Sequence, residues 1–263
     1  MPAYDAYIFD LDGTVYLGDA LLPNAGRAIR TLRQQGRRTV FLSNNPTHTA
    51  ADYSAKLTRL GLPTPVGDVV NSSLVMADFL ARLRAAEGIN RLFVVGEPPL
   101  CGELAAAGFE LVDDAASTQA VIASFDRTFA YRKLQVAFDA IRGGARFFAT
   151  NGDRYCPVPG GGEPDAASVI AAIEACTATR CEAIVGKPSP HMAAAILGLV
   201  GVPPARCLIT GDRLETDVAM GLQAGMGAAL TLTGATSREA AEASGIRPTH
   251  VFRDLGDLLE QAL

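Results

Sequence analysis

The chain alternates between strand-like and helix-like segments along its whole length. Strand-like apolar runs occupy residues 6–10, 38–43, 91–95, 119–123, 146–149, 183–185, 207–210 and 228–231. Helical patterns separate nearly all of these runs. Repeated alternation of this kind is typical of α/β proteins with mainly parallel sheets. With 263 residues, the chain is long enough for one large domain or for two of modest size.

Composition limits the classes of partner that we expect. Hydrophobic residues make up 49% of the chain and charged residues 19%, which predicts a sizeable buried core rather than disorder. The formal net charge of −5 gives no general attraction for nucleic acid or for anionic membrane surfaces. We therefore expect neither as a partner. Any phosphate site has to be built locally, from a metal ion, a lysine and backbone amides.

The sequence carries no sign of export or of membrane insertion. Its first residues lack a basic segment followed by an apolar one, and no run of about 18 apolar residues occurs. The five cysteines are odd in number and lack the spacing of a zinc site. We expect a cytoplasmic protein with reduced thiols at Cys101, Cys156, Cys176, Cys181 and Cys207.

Four residues with reactive or polar side chains stand at, or just after, the ends of apolar runs. They are Asp10, Ser43, Lys187 and Asp212. Ligands of open α/β sheets bind beyond the carboxyl ends of the strands. We therefore predict that these four side chains share one edge of a sheet.

The positions of these residues along the chain predict its domain organisation. All four lie in residues 1–77 or 183–263, whereas residues 78–182 contain none of them and have strand–helix alternation of their own. We predict a catalytic core built from the two outer segments, with a second α/β domain inserted between them. Within that insertion, residues 157–164 are rich in proline and glycine and predict a long irregular loop.

The strongest chemical signal is Asp10-Leu-Asp-Gly-Thr14, directly after the first apolar run. In an extended segment Asp10 and Asp12 point the same way, because side chains alternate with a period of two. A divalent cation relieves the repulsion between such carboxylates, and Gly13 permits a tight turn close to a ligand. A plain Asp-Gly turn is the simpler alternative. A calcium loop is another, but it requires a glutamate at its twelfth position, where this chain has Leu21.

Three further segments contain groups suited to phosphate or to a cation. Ser43 and Asn44 supply a hydroxyl group and amides, although both residue types commonly end strands. Lys187 supplies a point charge, although a solvated lysine in a turn is the usual alternative. Asp212 supplies a third carboxylate, and Asp217 suits a partner of Lys187 or of a water on the metal. Both acidic residues equally suit the first turn of a helix.

In this order, the four segments resemble the haloacid dehalogenase superfamily of phosphotransferases. The similarity covers essentially the whole chain and points to the NagD-like, p-nitrophenylphosphatase-like branch (class IIA). It rests on Val40-Phe-Leu-Ser-Asn-Asn45, Phe148-Ala-Thr-Asn-Gly-Asp153, Val185-Gly-Lys-Pro-Ser-Pro190 and Gly211-Asp-Arg-Leu-Glu-Thr-Asp217. The resemblance implies a Rossmann-like α/β core with a mainly parallel sheet and an inserted α/β cap domain of the C2 type.

The resemblance also implies a reaction, the Mg2+-dependent hydrolysis of a small phosphorylated metabolite. Asp10 corresponds to the nucleophile that forms an aspartyl-phosphate, and Asp12 to the general acid and base. Mg2+ would be held by the carboxylate of Asp10, the backbone carbonyl of Asp12 and the carboxylate of Asp212. An acid at position 12 is expected of phosphatases and phosphomutases but not of dehalogenases. The large insertion between Ser43 and Lys187 favours a phosphatase.

The phosphate group would be bound by Ser43, Asn44 and Lys187, whose donors stabilise the charge on its oxygens. Asp217 would not bind the phosphate directly but would be a partner of Lys187. Some relatives have an arginine shortly after the asparagines, where this chain has His48, so the role of His48 stays open.

The inserted domain would close over the leaving group and set specificity. In one of its loops Asp153 matches the family pattern, while Arg154 and Tyr155 occupy variable positions. We take these three residues as candidates for substrate specificity. The role of Cys156 stays open, and Asp165 suits a helix N-terminus as well as the floor of a pocket.

Two other functions fit the same residues. One is a phosphomutase or phosphotransferase that passes the phosphoryl group to an acceptor, and the other is a non-catalytic phosphate- or metal-binding module. The substrate stays open among sugar phosphates, nucleotides, phosphoglycolate, pyridoxal phosphate and glycerol phosphate. A homodimer formed through the inserted domain is a further expectation, but no interface follows from the sequence.

Overall fold

The computed structural model describes residues 4–158 and 160–262. These residues form two compact units. The core unit contains residues 4–43, 50–70 and 187–262, and the inserted unit contains the described residues of 44–49 and 71–186.

Strands and helices follow one another along most of the chain. The strands are β1 (Ala6–Asp10), β2 (Tyr16–Leu17), β3 (Ala20–Leu21), β4 (Arg38–Ser43), β5 (Val69–Asn71), β6 (Arg91–Val95), β7 (Glu110–Leu111), β8 (Ala120–Ala123), β9 (Arg146–Ala149), β10 (Tyr155–Val158), β11 (Gly161–Pro164), β12 (Ala183–Ile184), β13 (Cys207–Gly211), β14 (Gly227–Thr231) and β15 (His250–Phe252). The helices are α1 (Ala25–Gln34), α2 (Ala50–Arg59), α3 (Ser72–Glu87), α4 (Pro98–Ala106), α5 (Tyr131–Arg142), α6 (Ala166–Thr177), α7 (Pro190–Val200), α8 (Ala219–Gln223), α9 (Arg238–Ala243) and α10 (Gly256–Ala262). Short 3-10 turns cover Val66–Asp68 and Pro204–Arg206, and a π-helical turn covers Leu214–Val218. The α/β class is confirmed. Among the described helices, none has both the length and the apolar character needed to cross a membrane.

The core unit is built on a six-stranded sheet with the order β15-β14-β13-β1-β4-β5. β1 pairs in parallel with β13 on one side and with β4 on the other, and β14 and β15 continue the parallel arrangement. All five residues of β1 are buried, as expected of a central parallel strand that is covered on both faces. Parallel pairing brings the carboxyl ends of these strands to one edge of the sheet.

The helix α1 shows both the strength and the limit of sequence patterns. Its apolar positions recur with helical spacing, and the buried residues are Ala25, Gly26, Ala28, Ile29 and Leu32. Asn24 precedes the helix, and its residue type predicts a side-chain N-cap. That detail is wrong: Asn24 has a left-handed backbone (φ 60°), and its side chain makes no capping bond. Its Nδ2 donates instead to both carboxylate oxygens of Asp254 at 3.1 Å.

The inserted unit has its own sheet, with the order β12-β9-β8-β6-β7 and all pairings parallel. Its hydrophobic core lies between this sheet and the helices α5 and α6. The buried members of that core are Phe93, Val95, Val121, Ala123, Ala137, Ala140, Ile141, Phe147, Ala149, Val169, Ile170 and Ile173. A core of this size is typical of a domain with independent packing.

The chain passes between the two units at 70/71 and 186/187, and it passes through the inserted unit a further time at 44–49. The sequence prediction placed the boundaries at 77/78 and 182/183. Local structure explains the difference. Asn71 is the N-cap of α3, so residues 71–77 pack with that helix in the inserted unit. β12 pairs with β9, which adds residues 183–186 to the sheet of the same unit.

Residues 157–164 do not form an irregular loop as predicted. In the described residues β10 and β11 pair as an antiparallel ribbon, in which Tyr155 is opposite Pro164 and Pro157 is opposite Gly162. Pro159 lies outside the described residues. Both strands of a two-stranded ribbon are edge strands, so a proline can occupy a position whose N–H would point away from the partner.

We expect Asn71→Ala to destabilise the inserted unit more than a matched change at an exposed helix start. Asn71 is fully buried; its side chain accepts from Leu74 N at 3.0 Å, and its Nδ2 donates to the carbonyl of His48 at 2.8 Å. Losing these two hydrogen bonds should cost about 1–2 kcal/mol in the free energy of unfolding. Ser237→Ala, at the exposed start of α9, should cost roughly 0.5 kcal/mol. Chemical denaturation measures both, and equal losses would contradict this account.

Candidate active site

The carboxyl edge of the core sheet brings several of the predicted residues together. Asp10 is the last residue of β1 and lies beside Leu42 of β4, so that Ser43 ends the neighbouring strand. On the other side β1 pairs with β13, which ends at Gly211 directly before Asp212. The parallel register therefore places Asp10, Ser43 and Asp212 at one edge, where ligands of open α/β sheets bind.

Lys187 lies between two carboxylates of the core unit. Its Nζ donates to Asp10 Oδ1 at 2.5 Å and to Asp217 Oδ1 at 2.7 Å. The exposed fractions of the three side chains are 3% for Lys187, 11% for Asp10 and 1% for Asp217. Short charge-assisted hydrogen bonds in a buried setting fix the orientation of both partners. Asp217 comes from the π-helical turn that follows β13.

The buried charges shift one another's pKa values. Burial raises the pKa of Asp10 well above its usual value, Lys187 opposes that rise, and the charges of Asp217 and Asp212 add to it. Burial and the charge of Asp217 raise the pKa of Asp212 to about 6. Burial acts to lower the pKa of Lys187, but the two carboxylates beside it raise that pKa overall. Negative charge is therefore in excess at this edge.

Three carboxylates of the core unit are arranged as a cation site requires. Asp10, Asp212 and Asp217 each offer one oxygen, and these oxygens lie within 4.8 Å of one another. With Lys187 protonated, three ionised carboxylates leave two negative charges without a counterion. A divalent cation would balance them, and hard cations such as Mg2+ prefer oxygen ligands. The sequence prediction paired Asp10 and Asp212 with the backbone of Asp12, so Asp217 is an additional carboxylate here.

Two glycines make room for the carboxylate of Asp212. Gly13 has a φ of +84°, and a Cβ on it would lie 2.5 Å from Asp212 Oδ2. A Cβ on Gly234 would lie 2.0 Å from the same oxygen. The N–H of Ala235 donates to that oxygen at 2.6 Å, and Thr233 Oγ1 donates to the carbonyl of Gly13 at 2.6 Å. The loop after β14 and the turn after β1 thus hold Asp212 from two sides.

Ser43 and Asp12 belong to the same edge but make different contacts. Ser43 is buried, and its Oγ donates to the hydroxyl oxygen of Tyr53 at 3.3 Å. Asp12 is half-buried, and its backbone forms an isolated bridge with Tyr16. Its carboxylate is not one of the three that converge on the cation site described above.

Asn44 follows Ser43 in the chain but packs within the inserted unit. Its Nδ2 donates to Asp153 Oδ2 at 2.8 Å, and its carbonyl accepts from Ser72 Oγ at 2.5 Å. Asn151 Nδ2 donates to the same oxygen of Asp153 at 2.9 Å and to Asp165 Oδ1 at 3.0 Å. Asp153 is therefore held by two side-chain amides of its own unit.

The other specificity candidates lie at the start of the β10–β11 ribbon. The side chain of Arg154 is exposed, and Tyr155 is 45% exposed. Asp165 caps α6 by accepting from the first N–H of that helix at 2.5 Å. Asn45 Nδ2 donates to Cys156 Sγ at 3.6 Å. Arg154 and Tyr155 are thus the members of this group that present side chains at the surface.

Sequence reasoning missed several residues of the core edge. Tyr53 lies in the middle of an amphipathic helix, and Tyr16 lies in a two-residue strand, so neither carries a motif. Gly234 and Ala235 follow β14 without a catalytic pattern. A glycine three residues after the end of an apolar strand is the one signal that could have indicated a close approach of the backbone at Gly234.

Comparison with known proteins gives two family matches. Residues 7–110 match the haloacid dehalogenase-like hydrolases, and residues 184–258 match the HAD-hydrolase-like family. The chain is 38% identical over 255 residues to sugar-phosphatase AraL from Bacillus subtilis (strain 168), an alignment that covers 97% of this chain and 92% of the relative.

Solved structures of phosphatases are similar to this chain over nearly its whole length. The 4-nitrophenylphosphatase from Thermotoga maritima has a TM-score of 0.92 and 36% identity, with 99% of this chain and 98% of that chain covered. NagD from Escherichia coli K-12 has a TM-score of 0.87 and 29% identity, with 97% of this chain and 98% of that chain covered. Both likenesses extend over the core unit and the inserted unit.

We expect Gly234→Ala to weaken the binding of a divalent cation. The new Cβ would lie 2.0 Å from Asp212 Oδ2, so the carboxylate and the loop that holds it through Ala235 N must shift relative to each other. Changes that reposition a metal-binding carboxylate typically cost about 10–100-fold in metal affinity. Isothermal titration with Mg2+ measures the change.

The matched control is Gly245→Ala. Gly245 is also an exposed glycine, and a Cβ on it would have no neighbour within 4 Å. This variant should bind Mg2+ as the parent does. An unchanged affinity in Gly234→Ala would contradict the account that the loop at Gly234 fixes Asp212 for cation binding.

Proposed function

This chain belongs to the haloacid dehalogenase-like hydrolases, in their NagD-like, p-nitrophenylphosphatase-like branch, and from that membership we propose that it hydrolyses a small phosphate monoester with Mg2+ through an aspartyl-phosphate on Asp10. It is a phosphoric monoester hydrolase, in line with its phosphatase relatives. The observation that carries the proposal is the buried arrangement of Asp10, Lys187, Asp212 and Asp217 at one edge of the core sheet.

Asp10 is the proposed nucleophile. It ends the central strand β1, where both faces of the sheet are covered and the backbone is fixed by pairing on two sides. The hydrogen bond from Lys187 holds one carboxylate oxygen, which favours the ionised form that attack on phosphorus requires. Transfer of the phosphoryl group to Asp10 would release the alcohol and divide the hydrolysis into two steps.

Asp12 is the proposed general acid and base. It would protonate the leaving oxygen in the first step and accept a proton from the attacking water in the second. Its half-buried position, two residues after Asp10, supports this role because it combines proximity to the nucleophile with access to solvent. General acid–base catalysis of this kind typically contributes about 10²–10⁴-fold to the rate.

The proposed ligands of Mg2+ are the carboxylates of Asp10 and Asp212 and the backbone carbonyl of Asp12. The proposed role of Asp217 is to orient Lys187, whose Nζ donates to it. When bound, Mg2+ would supply charge stabilisation to the phosphate oxygens in the transition state. Within the chain itself, Lys187 and Ser43 are the proposed donors to those oxygens. Asn44 stays a prediction from the sequence, because its side-chain amide is engaged by Asp153.

A sugar phosphate is the first substrate class to test, since sugar-phosphatase AraL is similar to this chain over 97% of its length. Arg154 and Tyr155 are the proposed specificity residues. Asp153 has its carboxylate held by Asn44 and Asn151, so its proposed part in specificity is to order the loop that carries them. A homodimer and a cytoplasmic location stay predictions from the sequence.

We expect Asp10→Asn to reduce phosphatase activity by several orders of magnitude, because it removes the nucleophile and keeps the shape of the side chain. The assay is release of inorganic phosphate from p-nitrophenyl phosphate with Mg2+ and no added acceptor, which also separates a hydrolase from a phosphotransferase. EDTA should abolish the parent activity, and Mg2+ should restore it. Asp19→Asn is the control, since the Asp19 side chain is 87% exposed. A near-normal rate in Asp10→Asn would refute the assignment.

A substrate panel tests the proposed specificity residues. Arg154→Ala and Tyr155→Phe should change relative kcat/KM values within a panel of sugar phosphates, nucleotides and other phosphorylated metabolites, because each removes a polar contact to the leaving group. For Arg154 the change should be roughly tenfold for the preferred substrates. Two exposed residues that are adjacent in α5 provide matched controls: Arg132→Ala for Arg154→Ala and Tyr131→Phe for Tyr155→Phe. If all four variants keep the parent's ranking, the two residues do not set specificity.

A further inference from the structure

The core unit has a basic pocket at the start of β4, away from the candidate active site. Its volume is about 360 Å³, and its lining consists of Arg33, Gly36, Arg37, Arg38, Thr39 and Asp68. Arg38 begins β4 and Ser43 ends it, and five steps of about 3.3 Å along a strand separate the two backbones by roughly 16 Å. The proposed reaction uses none of the residues that line this pocket.

The lining of this pocket carries an excess of positive charge. It contains three guanidinium groups and one carboxylate, that of Asp68. The helix α1 ends at Gln34, next to Arg33, and a helix end of this kind adds roughly half a negative charge. Counting both negative contributions, an excess of roughly one and a half positive charges is left in the lining. The chain as a whole has a net charge of −5, so the pocket is a local site of attraction for anions.

One of the three arginines, Arg33, is fixed by the protein itself. Its Nε donates to Thr39 Oγ1 at 2.8 Å, its Nη1 to the carbonyl of Pro63 at 2.7 Å and its Nη2 to Thr64 Oγ1 at 3.3 Å. Its Cζ also lies 5.7 Å from the centroid of the Phe41 ring, within the range of a cation–π contact. Arg33 therefore contributes a fixed positive charge to the pocket, while its hydrogen-bond donors are used within the core unit.

The other two arginines keep part of their donor capacity. Arg37 Nη1 donates to Asp5 Oδ1 at 3.0 Å, and Arg38 Nη1 lies 2.6 Å from Asp68 Oδ1. Within the described part of the chain, neither arginine uses its Nε or its Nη2 in a hydrogen bond. The side chains of Arg37 and Arg38 are 33% and 38% exposed. Nε and Nη2 form one edge of a guanidinium group, and that edge matches two oxygens of a phosphate.

We propose that this pocket is a second binding site for a phosphate group, either on a small metabolite or as inorganic phosphate, and that Arg37 and Arg38 bind it. A tetrahedral phosphate offers oxygens to two guanidinium groups at once, and its two negative charges match the excess in the lining better than a single carboxylate does. The volume lies within the range of small-molecule sites. The inference does not rest on the proposed function, since neither Asp10 nor a cation takes part.

Isothermal titration of the full chain tests the site with two probes, inorganic phosphate and glycerol phosphate, at constant ionic strength. EDTA is present throughout, so that no divalent cation recruits either probe to the candidate active site. The parent should bind at least one probe with a Kd below about 10 mM. Tighter binding of glycerol phosphate would assign the pocket to a phosphorylated metabolite, and equal or tighter binding of inorganic phosphate would assign it to that ion. If neither probe binds, the inference is overturned.

Arg37→Gln places the bound phosphate in the pocket, and Arg206→Gln is its matched control. Asp5 accepts from Arg37 and also from Nε and Nη2 of Arg206, both at 2.7 Å, so it keeps one partner in either variant. Arg37→Gln should weaken phosphate binding on the order of tenfold, because charged donors are lost from the site. Arg206 does not line the pocket. Arg206→Gln should therefore change the affinity by less than about twofold, since salt screens the interaction between distant exposed charges.

Arg38→Gln is the second variant, and it should weaken binding to a similar extent. It removes the ion-pair partner of Asp68, whose side chain is only 16% exposed, so its folding has to be checked by circular dichroism. If Arg38→Gln does not fold, Arg37→Gln decides the test. Parental affinity in folded Arg37→Gln, or an equal loss of affinity in Arg206→Gln, would show that the phosphate binds elsewhere or responds only to net charge. Either result would overturn the inference.

Discussion

The arrangement of the carboxyl edge of the core unit depends on how the fold accommodates several buried charges of the same sign. Asp10, Asp212 and Asp217 bring three carboxylates together where little water reaches them, and removing such charges from water costs several kcal/mol per group. Lys187 offsets part of that cost by binding two of the three. The parallel sheet makes the arrangement possible, because its strands deliver these residues to one edge with the backbone already paired. The remaining excess of negative charge is a property of the folded chain, and it defines what can bind there.

The carboxyl edge of the inserted sheet is organised by a different principle. Asp153 accepts from the amides of Asn44 and Asn151, and Asn151 Oδ1 in turn accepts from Thr150 Oγ1 at 2.8 Å. Thr150 Oγ1 also shares a hydrogen bond with Ser124 Oγ at 2.8 Å. The acidic oxygen used here, Asp153 Oδ2, accepts from two neutral amides. Satisfied buried networks rigidify the groups that they connect. The polar groups at this edge of the inserted unit are therefore held in fixed positions, whereas the edge of the core unit carries an excess of negative charge.

Eight of the fifteen described strands and the motif residues could be predicted from the sequence because their signals are local. An apolar run that ends in Asp10 predicts both a buried strand and the polar residue at its end, from only a few neighbouring positions. Contacts between distant segments could not be predicted in the same way. The placement of Gly234 against Asp212 depends on a turn that carries no motif, and Asn24 bonds to Asp254 rather than to its own helix. Proline and glycine predicted a loop at 157–164 because they disfavour central strands, yet a two-stranded ribbon tolerates them.

The net charge of −5 bears on how an anionic substrate binds at this edge. A net negative charge gives no general long-range attraction for a phosphate ester. Lys187 does not change this, because Asp10 and Asp217 already neutralise it at hydrogen-bond distance. Without a further positive charge, the edge repels the phosphate that it is proposed to bind. A divalent cation held by Asp10 and Asp212 would balance this excess of negative charge and remove the repulsion. It follows that cation and phosphate affinity are linked, with each raising the other. In the proposed mechanism the cation would therefore serve substrate binding as well as the reaction.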